Sequence, residues 1–143
     1  MSWLVDTNVL SELRKGDRCH EGIRAWFDAA HDEELFTSVL VLGEIRRGIE
    51  SVRRRDVLSA VALDQWLLRL NVSFRNHVLP VDAEVADRWG ALNVPDPIPT
   101  IDGLLAATAL VHDLVLVTRN VRDVAGTGVQ VFDPSMPEDA TSA

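Results

Sequence analysis

Apolar residues follow two rhythms along this chain. Short runs at 3–6, 34–37, 77–81, 114–118 and 129–132 read as strands, those at 3–6, 114–118 and 129–132 as buried ones. Between them, apolar positions return every three or four residues. That spacing predicts helices over 8–15, 20–31, 39–52, 54–74, from Asp82 through "DAEVADRWGALNV", and over 101–112. Ile23, Trp26 and Phe27 share one face of the second helix; Val41, Ile45, Ile49 and Val52 share one of the third. Val57, Leu58, Val61, Leu67 and Leu68 are apolar positions of the fourth. Asp6 or Thr7 can cap the first helix and Ser38 the third. The run Pro95-Asp96-Pro97-Ile98-Pro99 breaks the chain before the last helix.

Buried strands alternating with helices define an α/β sandwich with a mainly parallel sheet. Ligands of such sheets bind beyond the carboxyl ends of the strands. Two segments fall there: Asp6, ending the first strand, and Thr118-Arg119-Asn120-Val121-Arg122-Asp123, following "LVLV".

Length and composition bound this picture. The 143 residues suit one domain, and 47% apolar with 25% charged residues is ordinary for a folded protein. No apolar run reaches the roughly 20 residues of a membrane span, and no signal peptide is visible at the N-terminus. A cytoplasmic location is expected. Cys19 is the single cysteine, which excludes an internal disulfide, a cysteine-based zinc site and a CxxC motif. The formal charge of −8 runs against simple phosphate binding. An acidic pocket holding a divalent cation would reverse that locally.

Four acids are candidates for such a pocket. Asp6 ends the first strand. Glu44 lies, at about 100° per residue, on the arc of Leu40, Val41, Ile45 and Gly48, while Arg46 and Arg47 point away. Asp102 sits in the first turn of an almost wholly apolar helix, "TIDGLLAATAL", which should pack centrally on the sheet. Asp123 follows Thr118 and Asn120, polar groups able to orient a carboxylate or a water. Each has a structural explanation alone: turn, edge-of-face glutamate or helix-dipole partner. Together they can share one sheet edge, where clustered carboxylates raise one another's pKa unless a cation intervenes. Hard oxygen donors suit Mg²⁺ or Mn²⁺, and the corresponding chemistry is metal-assisted phosphodiester hydrolysis.

"LVDTNVLSEL", "LGEIRRGI", "TIDGLLAATAL" and "LVTRNVRDV", in this order, resemble the motifs of PIN-domain ribonucleases. More narrowly, the chain resembles VapC toxins of bacterial toxin–antitoxin pairs, including the FitB-like branch, from Trp3 to about Pro134. The resemblance implies a three-layer α/β/α sandwich spanning residues 1–134, with a flexible tail over 135–143. It implies a Mg²⁺- or Mn²⁺-dependent endoribonuclease, with one or two ions, acting on RNA such as tRNA or rRNA. It also implies a homodimer restrained by a VapB-type antitoxin. By position Asp6, Glu44, Asp102 and Asp123 match the acidic quartet, and Thr118 the polar residue after the last core strand. Thr7, Asn8, Arg119 and Asn120 are supporting or substrate-contact candidates. Asp6 and Asp102 stand on the most rigid platforms. "VFDP" departs from the family's common "NP" ending, which touches only the tail.

Arg46, Arg47, Arg119 and Arg122 are the expected phosphate contacts, and Arg53-Arg54-Arg55 is either a solvated junction or a further RNA contact. Trp66 and Trp89 are expected in a core or dimer surface, His112 at a helix C-terminus, and Gly126-Thr127-Gly128 in a turn. Competing functions are a phosphatase with Asp6 as nucleophile, a housekeeping RNA-processing nuclease, and a non-catalytic acidic module gripping a basic peptide. The phosphatase wants a second aspartate two positions on, where Asn8 stands.

Overall fold

The computed structural model describes residues 1–137. The expected tail lies mostly outside them. Five strands, β1 (Trp3–Val5), β2 (Leu35–Ser38), β3 (Val78–Leu79), β4 (Val115–Val117) and β5 (Val131–Phe132), form one sheet in the order β3-β2-β1-β4-β5. Every pairing is parallel. Trp3 aligns with Leu35 on one side and Val115 on the other, and Val117 aligns with Phe132. Four of the expected strands are one to three residues longer than those observed, because ladder pairing stops before the apolar run does. β2 has the expected length but is shifted by one residue, and β5, expected to be buried, is half-buried at the sheet's edge.

Helices α1 (Thr7–Leu13), α2 (Glu21–Ala29), α3 (Val39–Arg53) and α4 (Val57–Ser73) occupy the β1-to-β2 and β2-to-β3 crossovers. Helices α5 (Ala83–Leu92) and α6 (Thr100–Val111) occupy the β3-to-β4 crossover. The first two crossovers run outward from β1 and the third returns across the sheet. Right-handed connections therefore put α1–α4 on one face and α5–α6 on the other. The packing agrees: α3 lies on α4, α1 on α2 and α3, and α5 on α6. This is the expected three-layer sandwich.

Local chemistry sets the helix starts. Ser38 accepts the Leu40 N–H at 3.0 Å, Asp56 the Ser59 N–H at 3.0 Å and Asp82 the Val85 N–H at 3.0 Å. Thus α4 begins at Val57, three residues later than its apolar rhythm suggests. His112 takes the C-cap of α6, and Gly126 and Gly128 adopt φ of 86° and 83°, confirming the turn.

Val41, Ile45 and Ile49 form the buried stripe of α3, with Val52 half-buried. Gly48, expected inward, is exposed, so the inward arc is narrower than the sequence suggests and Glu44 sits at its edge. In α4 only Leu67, of the five apolar positions named above, is buried. Val57, Leu58, Val61 and Leu68 face solvent, with Leu58 84% exposed. Two apolar faces on one helix explain why its rhythm does not reveal which one the core uses.

Candidate metal centre at the switch point of the sheet

The chain leaves β1 toward β2 on one side and later returns to β4 on the other. The carboxyl ends of β1 and β4 therefore flank the crevice where such sheets bind ligands. Asp6 and Thr118 occupy those two ends. Asp6 N–H donates to the Val117 carbonyl at 3.0 Å, continuing the ladder one residue past β1, and its side chain is 4% exposed.

The Asp6 carboxylate is held from three directions. The Thr118 hydroxyl donates to Oδ2 at 2.8 Å, Asn8 Nδ2 donates to Oδ2 at 3.3 Å, and the Thr7 N–H donates to Oδ1 at 2.7 Å. Thr118 Oγ1 accepts in turn from Asn8 Nδ2 at 3.2 Å and from the Asn120 N–H at 3.0 Å. Asn8 Oδ1 accepts the Arg119 N–H at 3.1 Å, tying α1 to the loop after β4. Thr118 thus orients Asp6, whereas the sequence order alone suggested Asp123 as its partner. Asn120 contributes its backbone N–H here and lines the cleft beside Asp123.

Glu44 reaches the same place from α3. Its Oε1 accepts the Thr7 hydroxyl at 2.8 Å, so Thr7 serves Asp6 through its backbone and Glu44 through its side chain. Asp102 lies in the first turn of α6, half-buried on the opposite layer. Close packing explains its neighbour Gly103: a Cβ there would stand 3.1 Å from Trp89 Cδ1. Asp123 is exposed on the 3-10 turn Val121–Val124, between clefts of about 330 and 730 Å³ that it helps to line.

The charges of the other three acids reach Asp102. Burial, then the charges of Asp6, Asp123 and Glu44, push the Asp102 carboxyl from an ordinary 3.8 up to about 6. A helix N-terminus should favour its anion. That benefit loses to partial desolvation beside three like charges. Asp6 is also raised, chiefly by burial and slightly by Glu44, against the opposing hydrogen bonds from Thr118 and the Thr7 amide. No Arg or Lys forms an ion pair with any of the four among the described residues.

The donor chemistry suits a hard divalent cation: carboxylate oxygens, threonine and asparagine struts, and no sulfur. Among the described residues, no group of three Asp, Glu, His or Cys side chains stands close enough to form a metal cage. Mg²⁺ does not require one, because it retains several waters and is commonly bound through one or two carboxylates.

The neighbouring cations differ from expectation. Arg46 is committed to Asp64 at 2.8 Å and Glu50 at 3.0 Å, so it is no free phosphate contact. Arg53 binds the same two acids at 2.8 and 3.1 Å. Arg119 lies 3.7 Å from Glu12, a buried acid of α1 that the sequence reading passed over. Glu12 also pairs with Lys15 at 2.7 Å and accepts the His20 N–H at 2.9 Å, contacts that hold it below the usual carboxylate range. Its spacing from Lys15 was the available signal. Arg122 lines both clefts beside Asp123.

A parallel α/β/α sandwich with acids gathered at its switch point is the architecture of metal-dependent nucleases of the PIN type. The PIN domain profile matches residues 3–125, and the chain belongs to that family. It is 31% identical to toxin FitB of Neisseria gonorrhoeae over 139 residues, covering 92% of this chain and 96% of that one. It is 28% identical to VapC ribonuclease Y4jK of Sinorhizobium fredii, covering 94% and 98%. The crystal structure of FitAcB from Neisseria gonorrhoeae superposes with a TM-score of 0.85 at 28% identity, over 92% of this chain and 97% of that one.

Proposed function

We propose that this protein is the toxin of a type II toxin–antitoxin pair, a metal-dependent endoribonuclease hydrolysing RNA phosphodiester bonds and restrained by a cognate VapB-type antitoxin. The observation that carries this reading is the arrangement at the switch point: Thr118 and the Thr7 amide hold Asp6, the Thr7 hydroxyl holds Glu44, and Asp102 stands in the first turn of α6, its carboxyl raised by burial and the neighbouring acids. Four acids at one sheet edge, with no Arg or Lys paired to them among the described residues, support a cation site, and the family context supports a nuclease site.

Asp6 and Asp102 would hold the ion, with Glu44 and Asp123 completing its surroundings directly or through water. Mg²⁺ is the ion expected in the cell, with Mn²⁺ as a substitute. When bound, it supplies Lewis acidity toward a phosphodiester oxygen and toward water. The residues supply position and proton transfer. Thr118, Asn8 and the Thr7 amide fix Asp6, and the Thr7 hydroxyl fixes Glu44. Asp123, exposed on the open side, takes the proton of the attacking water, and the leaving oxygen is protonated from solvent. Arg119, Arg122 and Asn120 line the approach.

The apolar outer surface of α4, with Leu58, Leu68 and Val72 exposed at 84, 66 and 64%, supports a protein partner. A second copy of the chain and the antitoxin are the proposed partners. No helix of the described residues is long and apolar enough to cross a membrane.

Purified, partner-free protein should cut RNA in Mg²⁺ or Mn²⁺ and stop in EDTA. Asp6→Asn and Asp102→Asn should remain folded and lower the rate by at least about a hundredfold, the scale of an essential catalytic group. Cleavage persisting in EDTA, or in both variants, contradicts the mechanism.

A further inference from the structure

The arginines fall into two populations. Arg46 and Arg53 are bound to Glu50 and Asp64, whereas Arg14, Arg55 and Arg69 form no ion pair among the described residues. These three meet around one cleft of about 520 Å³, together with Trp66 and an apolar wall that includes Leu63. The Arg14 guanidinium lies over the Trp66 ring, 5.9 Å from its centroid. The carboxylate in the cleft, Asp56, is engaged in capping α4 and accepts from the Ser59 N–H at 3.0 Å and hydroxyl at 2.5 Å.

The cleft is connected to the acids by two helices. Arg14 closes the far end of α1, whose near end is Asp6 and Thr7. Arg55 lies just beyond the far end of α3, which carries Glu44 nearer its start. The Thr7–Glu44 hydrogen bond joins the near ends at 2.8 Å. At 1.5 Å per residue, Arg14 is about 12 Å from Asp6 along α1, and Arg55 about 16 Å from Glu44 along α3.

We propose that this cleft is an RNA-binding subsite, gripping the strand beside the bond positioned at the acids. A protein of formal charge −8 has no overall attraction for RNA, and beside the cation proposed at the acids, a local cluster of arginines outside ion pairs supplies one. Arg55 is held there by a hydrogen bond to the Ser51 carbonyl at 3.3 Å. Three guanidinium groups match phosphate oxygens, and the Arg14–Trp66 stack offers planar faces against which a base packs. The sequence run Arg53-Arg54-Arg55 therefore divides: Arg53 is structural and Arg55 belongs to the subsite. The proposal rests on the nuclease reading for the identity of the polyanion.

The test uses Asp102→Asn protein in EDTA and fluorescence anisotropy of a short labelled single-stranded oligoribonucleotide across a salt series. Arg14→Gln, Arg55→Gln and Arg69→Gln should each weaken binding and lessen the log affinity–log salt slope by about 0.7. Trp66→Leu should weaken binding roughly tenfold. Arg88→Gln, on the exposed surface of α5, serves as the control and should bind as the parent does. If Trp66→Leu fails to fold, the exposed Arg55 and Arg69 variants decide the matter.

Unchanged affinity and slope in the three arginine variants overturn the proposal. So does a loss confined to polyglutamate binding, which would make the cleft a dock for acidic protein segments. Metal-dependent cleavage by the unmodified protein is measured separately. If cleavage is absent but binding depends on the arginines, the nuclease reading falls and the subsite stands. If cleavage is present without that dependence, the subsite alone falls.

Discussion

Two groups of acidic residues in this molecule have opposite fates. On the outer surface of α3 and α4, Glu50 and Asp64 are clasped by Arg46 and Arg53 at 2.8–3.1 Å, and both carboxyls are held below their ordinary range by those hydrogen bonds. At the sheet edge, Asp6 and Asp102 have no such partner among the described residues and are shifted upward, Asp102 to about 6. The residue types are the same, and the helix α3 contributes to both groups. The difference is that one set is neutralised by the chain, whereas the other is, on the proposed function, neutralised by a divalent cation. Hydrogen bonds to Asp6 from Thr118 and Asn8 hold its carboxylate in place without cancelling its charge.

Breaking the support at the sheet edge should have the larger effect. Thr118→Val keeps the side-chain shape but removes the donor to Asp6 and the acceptor for Asn8 and Asn120. Cleavage is expected to fall about 10- to 100-fold, as for other lost outer-shell partners of a metal ligand. Stability should fall by about 1–3 kcal/mol, because Asp6 is left buried and under-satisfied. Steady-state rates and denaturant melts check both numbers. A variant that cuts and melts like the parent would show that Thr118 does not position Asp6.

The paired group should yield the smallest effect. Asp64→Asn removes a carboxylate shared by two arginines, but these charges are solvent-facing, and such pairs contribute little to stability. Cleavage should be unchanged and the melting temperature scarcely altered. A large loss of activity would mean that the α3–α4 surface belongs to the catalytic machinery.

Much of this was legible from the chain. Asp6, Glu44, Asp102 and Asp123 could be assigned to one edge because strand ends and helix starts are marked by period changes and capping residues. Parallel topology then brings those ends together. What the sequence concealed are relations set by side-chain reach across layers. The Thr7–Glu44 bond spans 37 residues and the Thr118–Asp6 bond 112, and no local pattern announces either. Arg46 was misplaced for the same reason: its partner Asp64 lies on the next helix. The outer apolar face of α4 was unreadable because periodicity shows that a face is apolar, not what covers it.

The most direct test of the central claim, that the quartet is a site waiting for a cation, is the melting temperature of the parent and Asp102→Asn with and without divalent ion. An aspartate raised to about 6 stabilises the fold when protonated, fully so below about pH 4, and that contribution is lost as pH rises through 6. At pH 7.5 in EDTA, Asp102→Asn should therefore melt above the parent, and the two should converge near pH 4. Adding Mg²⁺ or Mn²⁺ should raise the parent by about 2.7 kcal/mol at a hundred times its dissociation constant, with little response from the variant. A parent indifferent to divalent ions, together with an Asp102→Asn protein less stable than it in EDTA at pH 7.5, would contradict the claim.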